Sequence, residues 1–199
     1  MPARPPRDIT PRTFFEEWLP SVFAAEYSGG RRAASDVTVR VTLEGEGGGV
    51  WDLAIAGGRL TVGPGGRGAA DVALAWTVAD WRAVAVGEPG TVDLAPPQAS
   101  ALDLLFVDSA SRHVLATVRG AIRLEVAGYN GRTWSMLVKL GAAPGPDPQA
   151  TISIDADTWG QILARTLAPP EAYFSGRIRL AGDTGLAMQL AMGMMPRFT

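Results

Sequence analysis

The sequence predicts an α+β fold: a mostly antiparallel sheet interleaved with helices, in two related copies. Three observations carry this expectation. Short segments alternate apolar and polar residues with a period of two, glycine-rich turns join them into hairpins, and the same succession of hairpin, strand and capped helix recurs after about 80 residues.

The first element is a helix over "TPRTFFEEWLPSVFAAEY". Phe14, Phe15, Trp18, Val22 and Phe23 stand at near-helical spacing, Thr10 before Pro11 supplies a start signal and Gly29-Gly30 a stop, with Pro20 expected to kink or break it. "DVTVRVTLE" (36–44) then alternates without error, "GEGGG" turns, "VWDLAI" (50–55) returns and "RLTV" (59–62) adds a third strand. A fourth strand, "DVALAW" (71–76), runs into a capping-box-like signal, Thr77 with Asp80, which opens a short helix carrying Trp81, Val84 and Ala85.

The second pass repeats the first. "TVRGAIRLEV" (117–126) alternates, "GYNG" turns, "TWSMLVKL" (133–140) returns, "ATISI" (150–154) follows, and Asp155 caps a helix with Trp159, Ile162, Leu163 and Leu167 on one side. Leu43, Trp51 and Trp81 correspond to Leu124, Trp134 and Trp159, so Trp51 and Trp134 are expected at equivalent sheet positions. The initial helix belongs only to the first copy. The strand "GRIRLAGD" with the apolar helix that follows belongs only to the second. "PGTVDLAPPQ" (89–98) reads as the joint, followed by a short helix at "ASALDLLF", and the units are expected to span residues 1–108 and 109–199.

Composition narrows the function classes. The chain has 199 residues, enough for a core without staples, and no cysteine, which excludes disulfides, zinc-thiolate sites and thiol nucleophiles and permits a reducing cytoplasm, the expected location. A formal net charge of −2 gives no electrostatic footprint for nucleic acid or an anionic membrane. Seventeen arginines against the single Lys139 point to a GC-rich bacterial genome rather than to a function. "MPARPPRD" is basic and proline-rich without an apolar run behind it, and reads as a leader rather than a signal peptide.

Few residues suggest chemistry. His113 is the only histidine, so no histidine metal cluster can form. Asp155 and Asp157 fit the start of a helix, where negative charge is favoured, and the glycine-rich stretches fit hairpin turns better than phosphate cradles. No metal or cofactor is implied. The apolar inventory is richer. From Leu186 the chain is almost wholly apolar, yet its run is about half the roughly 20 residues of a membrane span, so it must be covered by its own protein, a partner or a bound apolar molecule. Four of the six methionines fall within residues 188–195, a composition that suits an adaptable wall. The candidate wall of an apolar pocket is Trp159, Ile162, Leu163, Phe174, Leu186, Met188, Leu190, Met192 and Met194.

The stretch "PPEAYFSGRIRLAGDTGLAMQL" (169–190) resembles the closing signature of the sterol-carrier, or non-specific lipid-transfer, domain family. Pro170, Ala172, Tyr173, Gly176, Ile178, Gly182, Asp183, Leu186 and Leu190 occupy matching positions. "LEGEGGGVWDLAI" with "ADVALAWTVADWRAVAVGEPG" is similar to the family's opening hairpin, strand and helix, with Gly87 and Pro89 where the helix-ending glycine and its proline fall. The resemblance implies a five-stranded, mostly antiparallel sheet with helices on one face, and between them a tunnel for sterols, fatty acids, acyl-CoA or other lipids, without chemistry of its own. The first copy lacks the closing signature. It is either a ligand-free scaffold or half of a shared cavity. A hydrophobic small molecule or lipid is therefore the expected partner, with neither nucleic acid binding nor membrane insertion. The rival readings are an interaction module whose apolar helix forms a homodimer or meets a partner, and a cyclase- or isomerase-like enzyme using Tyr173, Asp183 or His113.

Overall fold

The structure is a computed structural model and describes residues 4–27, 36–66, 68–87, 117–141 and 147–194; the side chains of residues 26, 27 and 190–194 fall outside the description. The expected joint at 89–98, the short helix after it, the 108/109 boundary and His113 all lie outside the described residues.

The chain opens with helix α1 (Pro11–Thr13), whose start is fixed by Thr10, the side-chain oxygen of which accepts from the Thr13 N–H. A π-helical stretch, Phe14–Trp18, leads into α2 (Leu19–Tyr27). Pro20 therefore does not end the helix. The irregularity lies ahead of it: the Leu19 N–H reaches back to the Phe14 carbonyl, a wider turn just before the residue that has no N–H to give.

Eight strands follow: β1 (Val37–Glu44), β2 (Gly49–Ala56), β3 (Arg59–Pro64), β4 (Val72–Thr77), β5 (Gly120–Tyr129), β6 (Arg132–Leu140), β7 (Ala150–Asp155) and β8 (Ile178–Gly182). Helix α3 (Val78–Ala85) follows β4, while α4 (Ala156–Leu163) and α5 (Pro169–Phe174) follow β7, and α6 (Thr184–Met194) follows β8. All eight strands join one sheet in the order β3-β2-β1-β4-β6-β5-β7-β8, antiparallel except for the β1–β4 and β5–β7 pairs. The sheet is thus α+β in class and mixed, with more antiparallel than parallel neighbours. It is a single eight-stranded sheet, where the resemblance implied five strands to a domain.

The runs β2-β1-β4 and β6-β5-β7 have the same strand directions, but β3 stands in the chain between β2 and β4, whereas β7 is the next described strand after β6. Their helix starts match too. Thr77 accepts from the Asp80 N–H at 3.0 Å, and Asp155 accepts from the Thr158 N–H at 2.8 Å, with threonine and aspartate exchanging places in the two caps. Trp51 and Trp134, however, are not in equivalent rows. Counted from the cap, Leu43 pairs with Gly49 in the first run while Val126 pairs with Trp134 in the second, so Trp51 starts one row further in. Its ring compensates: a Cβ built on Gly49 would lie 2.8 Å from the far edge of the Trp51 indole, which covers the row that Trp134 fills directly. The offset in register arises because the second hairpin runs further, with two more residues between Val126 and Trp134 than between Leu43 and Gly49, past the irregularity between Val126 and Tyr129 to a turn at Asn130-Gly131, where both residues have positive φ.

One face of the sheet carries the core. Val39, Val41, Leu43, Trp51, Leu53 and Leu74 are buried beneath Phe14, Phe15, Leu19 and Phe23. Across the other strands, Val126, Trp134 and Ile154 pack with Ile162, Leu167 and Ala172, while Ile122, Leu140 and Ala150 pack with Leu186 and Ala187. The opposite face is polar, with Arg40 forked onto Asp52 at 2.7 and 2.9 Å and Ser153 donating to Glu125.

Candidate apolar site

The two ends of the sheet are covered differently. Over the first strands the initial helix works as a plug. The Phe15 ring stacks on Trp51 at 4.8 Å, Phe14 meets Trp81 edge-on at 5.3 Å, and the Trp51 Nε1–H donates to Glu16. Hydrogen bonds from Arg12 first, and Trp51 second, hold the Glu16 carboxyl below its ordinary pKa. Arg82 ties down the strap before this helix by donating to the carbonyls of Ile9 and Arg7. Trp51, Val41 and Leu74, which share one row across three strands, are all buried.

Over β5–β8 the cover given by the described residues is in two pieces with a gap. Leu124 pairs with Met136 on one side and Ile152 on the other, and Ile152 pairs with Leu180, so four apolar side chains form a row across β6, β5, β7 and β8. All four are only half-buried. The row toward the caps, Trp134, Val126 and Ile154, is buried under α4 and α5, with Ile178 half-buried at its β8 end, and on the other side Ile122 and Ala150 are buried under α6, with Val138 half-buried on β6. The open row is about 14 Å long, three strand spacings of about 4.8 Å, and one residue pair wide. Among the described residues it is an apolar trench across a sheet.

The closing motif builds the trench's far wall. Gly182 lies at φ +76°, and a Cβ there would come within 2.2 Å of the Gln149 carbonyl oxygen, so only glycine lets the chain turn off β8 at this point. The Gln149 carbonyl accepts from the Asp183 N–H, and the Asp183 side chain accepts from the Leu186 N–H at 3.0 Å, capping α6. Leu186 is thereby set against Gly120, where a Cβ would lie 2.5 Å from it. Asp183 is a structural cap, and so is Asp155, whose carboxyl the Thr158 hydroxyl holds below its ordinary pKa. Among the described residues no cluster of His, Cys, Asp and Glu could hold a metal ion.

The wall residues expected from sequence divide into groups. Trp159 and Ile162 join the cluster around Val126 and Trp134, with Leu163 half-buried on the same helix, and Leu186 joins the cluster at the opposite side of the trench. Phe174 is 84% exposed and meets Tyr173 edge-on at 5.6 Å, while Met188 is 42% exposed. Leu190, Met192 and Met194 lie on the backbone of α6, their side chains outside the described residues. The trench floor, Met136, Leu124, Ile152 and Leu180, was not among the residues expected. Its signal was present in the strand alternation, but the row is made by register between strands, which alternation does not reveal. No helix among the described residues is long and apolar enough to cross a membrane.

Comparison with known proteins finds similarity over the second half of the chain. Residues 100–194 match the model of the SCP-2 sterol transfer family. Hydroxysteroid dehydrogenase-like protein 2 of Danio rerio is 28% identical over 93 residues, 43% of this chain and 22% of that protein, so the chain spans about a fifth of the length of this curated relative. Among solved structures, sterol carrier protein 2 like 2 of Aedes aegypti is 24% identical with a TM-score of 0.32, covering 42% of this chain and 87% of its own. Sterol carrier protein domain 2 of Helicoverpa armigera is 25% identical with a TM-score of 0.32, covering 40% and 69%.

Proposed function

We propose that this chain, whose residues 100–194 match the model of the SCP-2 sterol transfer family, binds and carries an apolar ligand, a fatty acid, acyl-CoA, sterol-like molecule or other lipid, without transforming it, and that the trench over β5–β8 receives it. The half-buried row Met136–Leu124–Ile152–Leu180 carries this reading. It is a stripe of apolar surface between two closed layers of core, and covering a large apolar side chain contributes up to about 1.5–3 kcal/mol. The first strands take no ligand in this account, because the plug of Phe14, Phe15, Leu19 and Phe23 fills the equivalent face. One ligand per chain follows. The carboxylates at the two helix starts are engaged as caps, which supports a carrier over an enzyme.

Titration with the fluorescent hydrocarbon diphenylhexatriene tests this. The parent should bind one probe per chain, and Ile152→Glu or the edge-strand variant Leu180→Glu should lose binding while keeping the parent's circular dichroism, because each sets a charge on the trench floor. Folded variants that bind like the parent would remove the trench from the account.

The exposure of Phe174 and Met188 favours a second reading, in which α6 and α5 meet a partner or a second copy of the chain. Deleting residues 186–199 separates the two: a change in oligomeric mass supports the interface, and reduced probe uptake at constant mass supports the carrier.

A further inference from the structure

The trench has an inner end, and an unusual group stands there. The β4–β6 pairing sets Leu74 against Val138 and Ala75 against Leu137, and one further step places Trp76 opposite Met136. Trp76 thus continues the row of Leu180, Ile152, Leu124 and Met136 by one strand, toward the plugged side of the sheet, where it pairs with buried Leu43. It is 8% exposed, and among the described residues its indole Nε1–H has no hydrogen-bond partner. The comparable indoles are satisfied: Trp51 donates to Glu16 and Trp134 to the Asp80 carbonyl. A buried donor left unmatched is costly, so the group is poised for an acceptor.

The surroundings define that acceptor. The nearby guanidinium groups hold other partners, Arg82 the carbonyls of Ile9 and Arg7 and Arg132 the Asp80 carboxylate; the Arg132 Nη2 is likewise buried without a hydrogen-bond partner, but it lies four residues along β6 from Met136, away from the trench end. A carboxylate brought to the inner end would leave water for a single neutral N–H, a poor exchange, whereas one hydroxyl or carbonyl oxygen sheds less hydration and gains a full hydrogen bond. We propose that Trp76 is a specificity-determining residue, its indole N–H receiving the oxygen of a neutral single-chain lipid, a long-chain alcohol or carbonyl compound, that enters the trench head first and lies along Met136, Leu124, Ile152 and Leu180. This rests on the trench being the ligand site.

The test uses the full chain, with dodecanol, dodecane and dodecanoate each displacing diphenylhexatriene at neutral pH. Dodecanol should bind about two- to twelve-fold more tightly than dodecane, the span of one net hydrogen bond, and more tightly than dodecanoate. Trp76→Phe keeps the ring and removes the donor, so it should equalise dodecanol and dodecane while leaving dodecane unchanged. Equal binding of alcohol and alkane by the parent, or a preference that survives in Trp76→Phe, overturns this assignment and leaves the carrier reading standing. Failure of every probe to bind overturns both. Should the variant not fold, the parent's assigned Trp76 indole N–H resonance decides: it should move with dodecanol and stay with dodecane, and an unmoved resonance with dodecanol bound overturns the proposal.

Discussion

The Trp134 indole N–H donates a 2.9 Å hydrogen bond to the backbone carbonyl of Asp80, so a side chain of β6 is fastened to the first turn of α3. The same aspartate is buried, accepts from the Thr77 hydroxyl at 2.9 Å and pairs with Arg132. Asp80 is therefore at once a helix-start residue and the clasp between β4 with its helix and the hairpin β5–β6. Removing it leaves Arg132, about a third exposed, without its carboxylate. Breaking a fully buried pair costs about 3–5 kcal/mol, and solvent at Arg132 reduces this, so Asp80→Ala should destabilise the chain by about 2–3 kcal/mol in urea titration. A loss below about 0.5 kcal/mol, the scale of an ordinary surface change, would show that the clasp is dispensable.

The contrast between the plugged and open stretches of sheet predicts unequal responses to truncation. Phe15 is 3% exposed and stacked on Trp51, so Phe15→Ala should cost about 3–5 kcal/mol. Leu124 lies half-open, and Leu124→Ala should cost less than the about 2–5 kcal/mol typical of a buried leucine while weakening probe binding. Thermal unfolding together with probe titration reads both. Equal costs at the two positions would contradict the difference in cover.

The turn at the end of β8 is predicted to be intolerant. Gly182→Ala places a Cβ against a backbone carbonyl at positive φ, and Asp183→Ala removes a helix cap. The first should shift α6 and cost more than the second, which should lose about 0.5–2 kcal/mol. Urea titration of both variants checks the order. If Gly182→Ala is harmless, the close approach to Gln149 is not what fixes the motif.

Much of this was legible in the sequence. Among the described residues, period-two alternation located the strands to within a few residues, and Thr77 and Asp155 marked where their helices start, because strand faces and caps are local properties, although Leu167, expected on the second of these helices, lies beyond its end at Leu163. The failures are non-local. Nothing in the sequence says that β4 pairs with β6 and makes one eight-stranded sheet, nor that Trp51 lies one row from the position of Trp134 and folds its ring back over Gly49. Pro20 signalled a break, yet the wider turn at Phe14–Trp18 absorbs the missing donor upstream. The candidate site suffered most. The apolar residues clustered in the sequence belong to α4, α5 and α6, which form walls at opposite sides of the trench, whereas its floor gathers one residue from each of four strands.

The most direct test of the central claim is to find where an apolar chain rests. A fatty acid carrying a nitroxide on its chain, titrated into the full protein with labelled methyl groups, broadens the resonances nearest to it. The account predicts broadening of the Met136, Leu124, Ile152 and Leu180 methyls, with those of Val39, Val41 and Leu53 unchanged. Broadening confined to the Val39, Val41 and Leu53 group, or none on any of these residues while the ligand is bound, would contradict it.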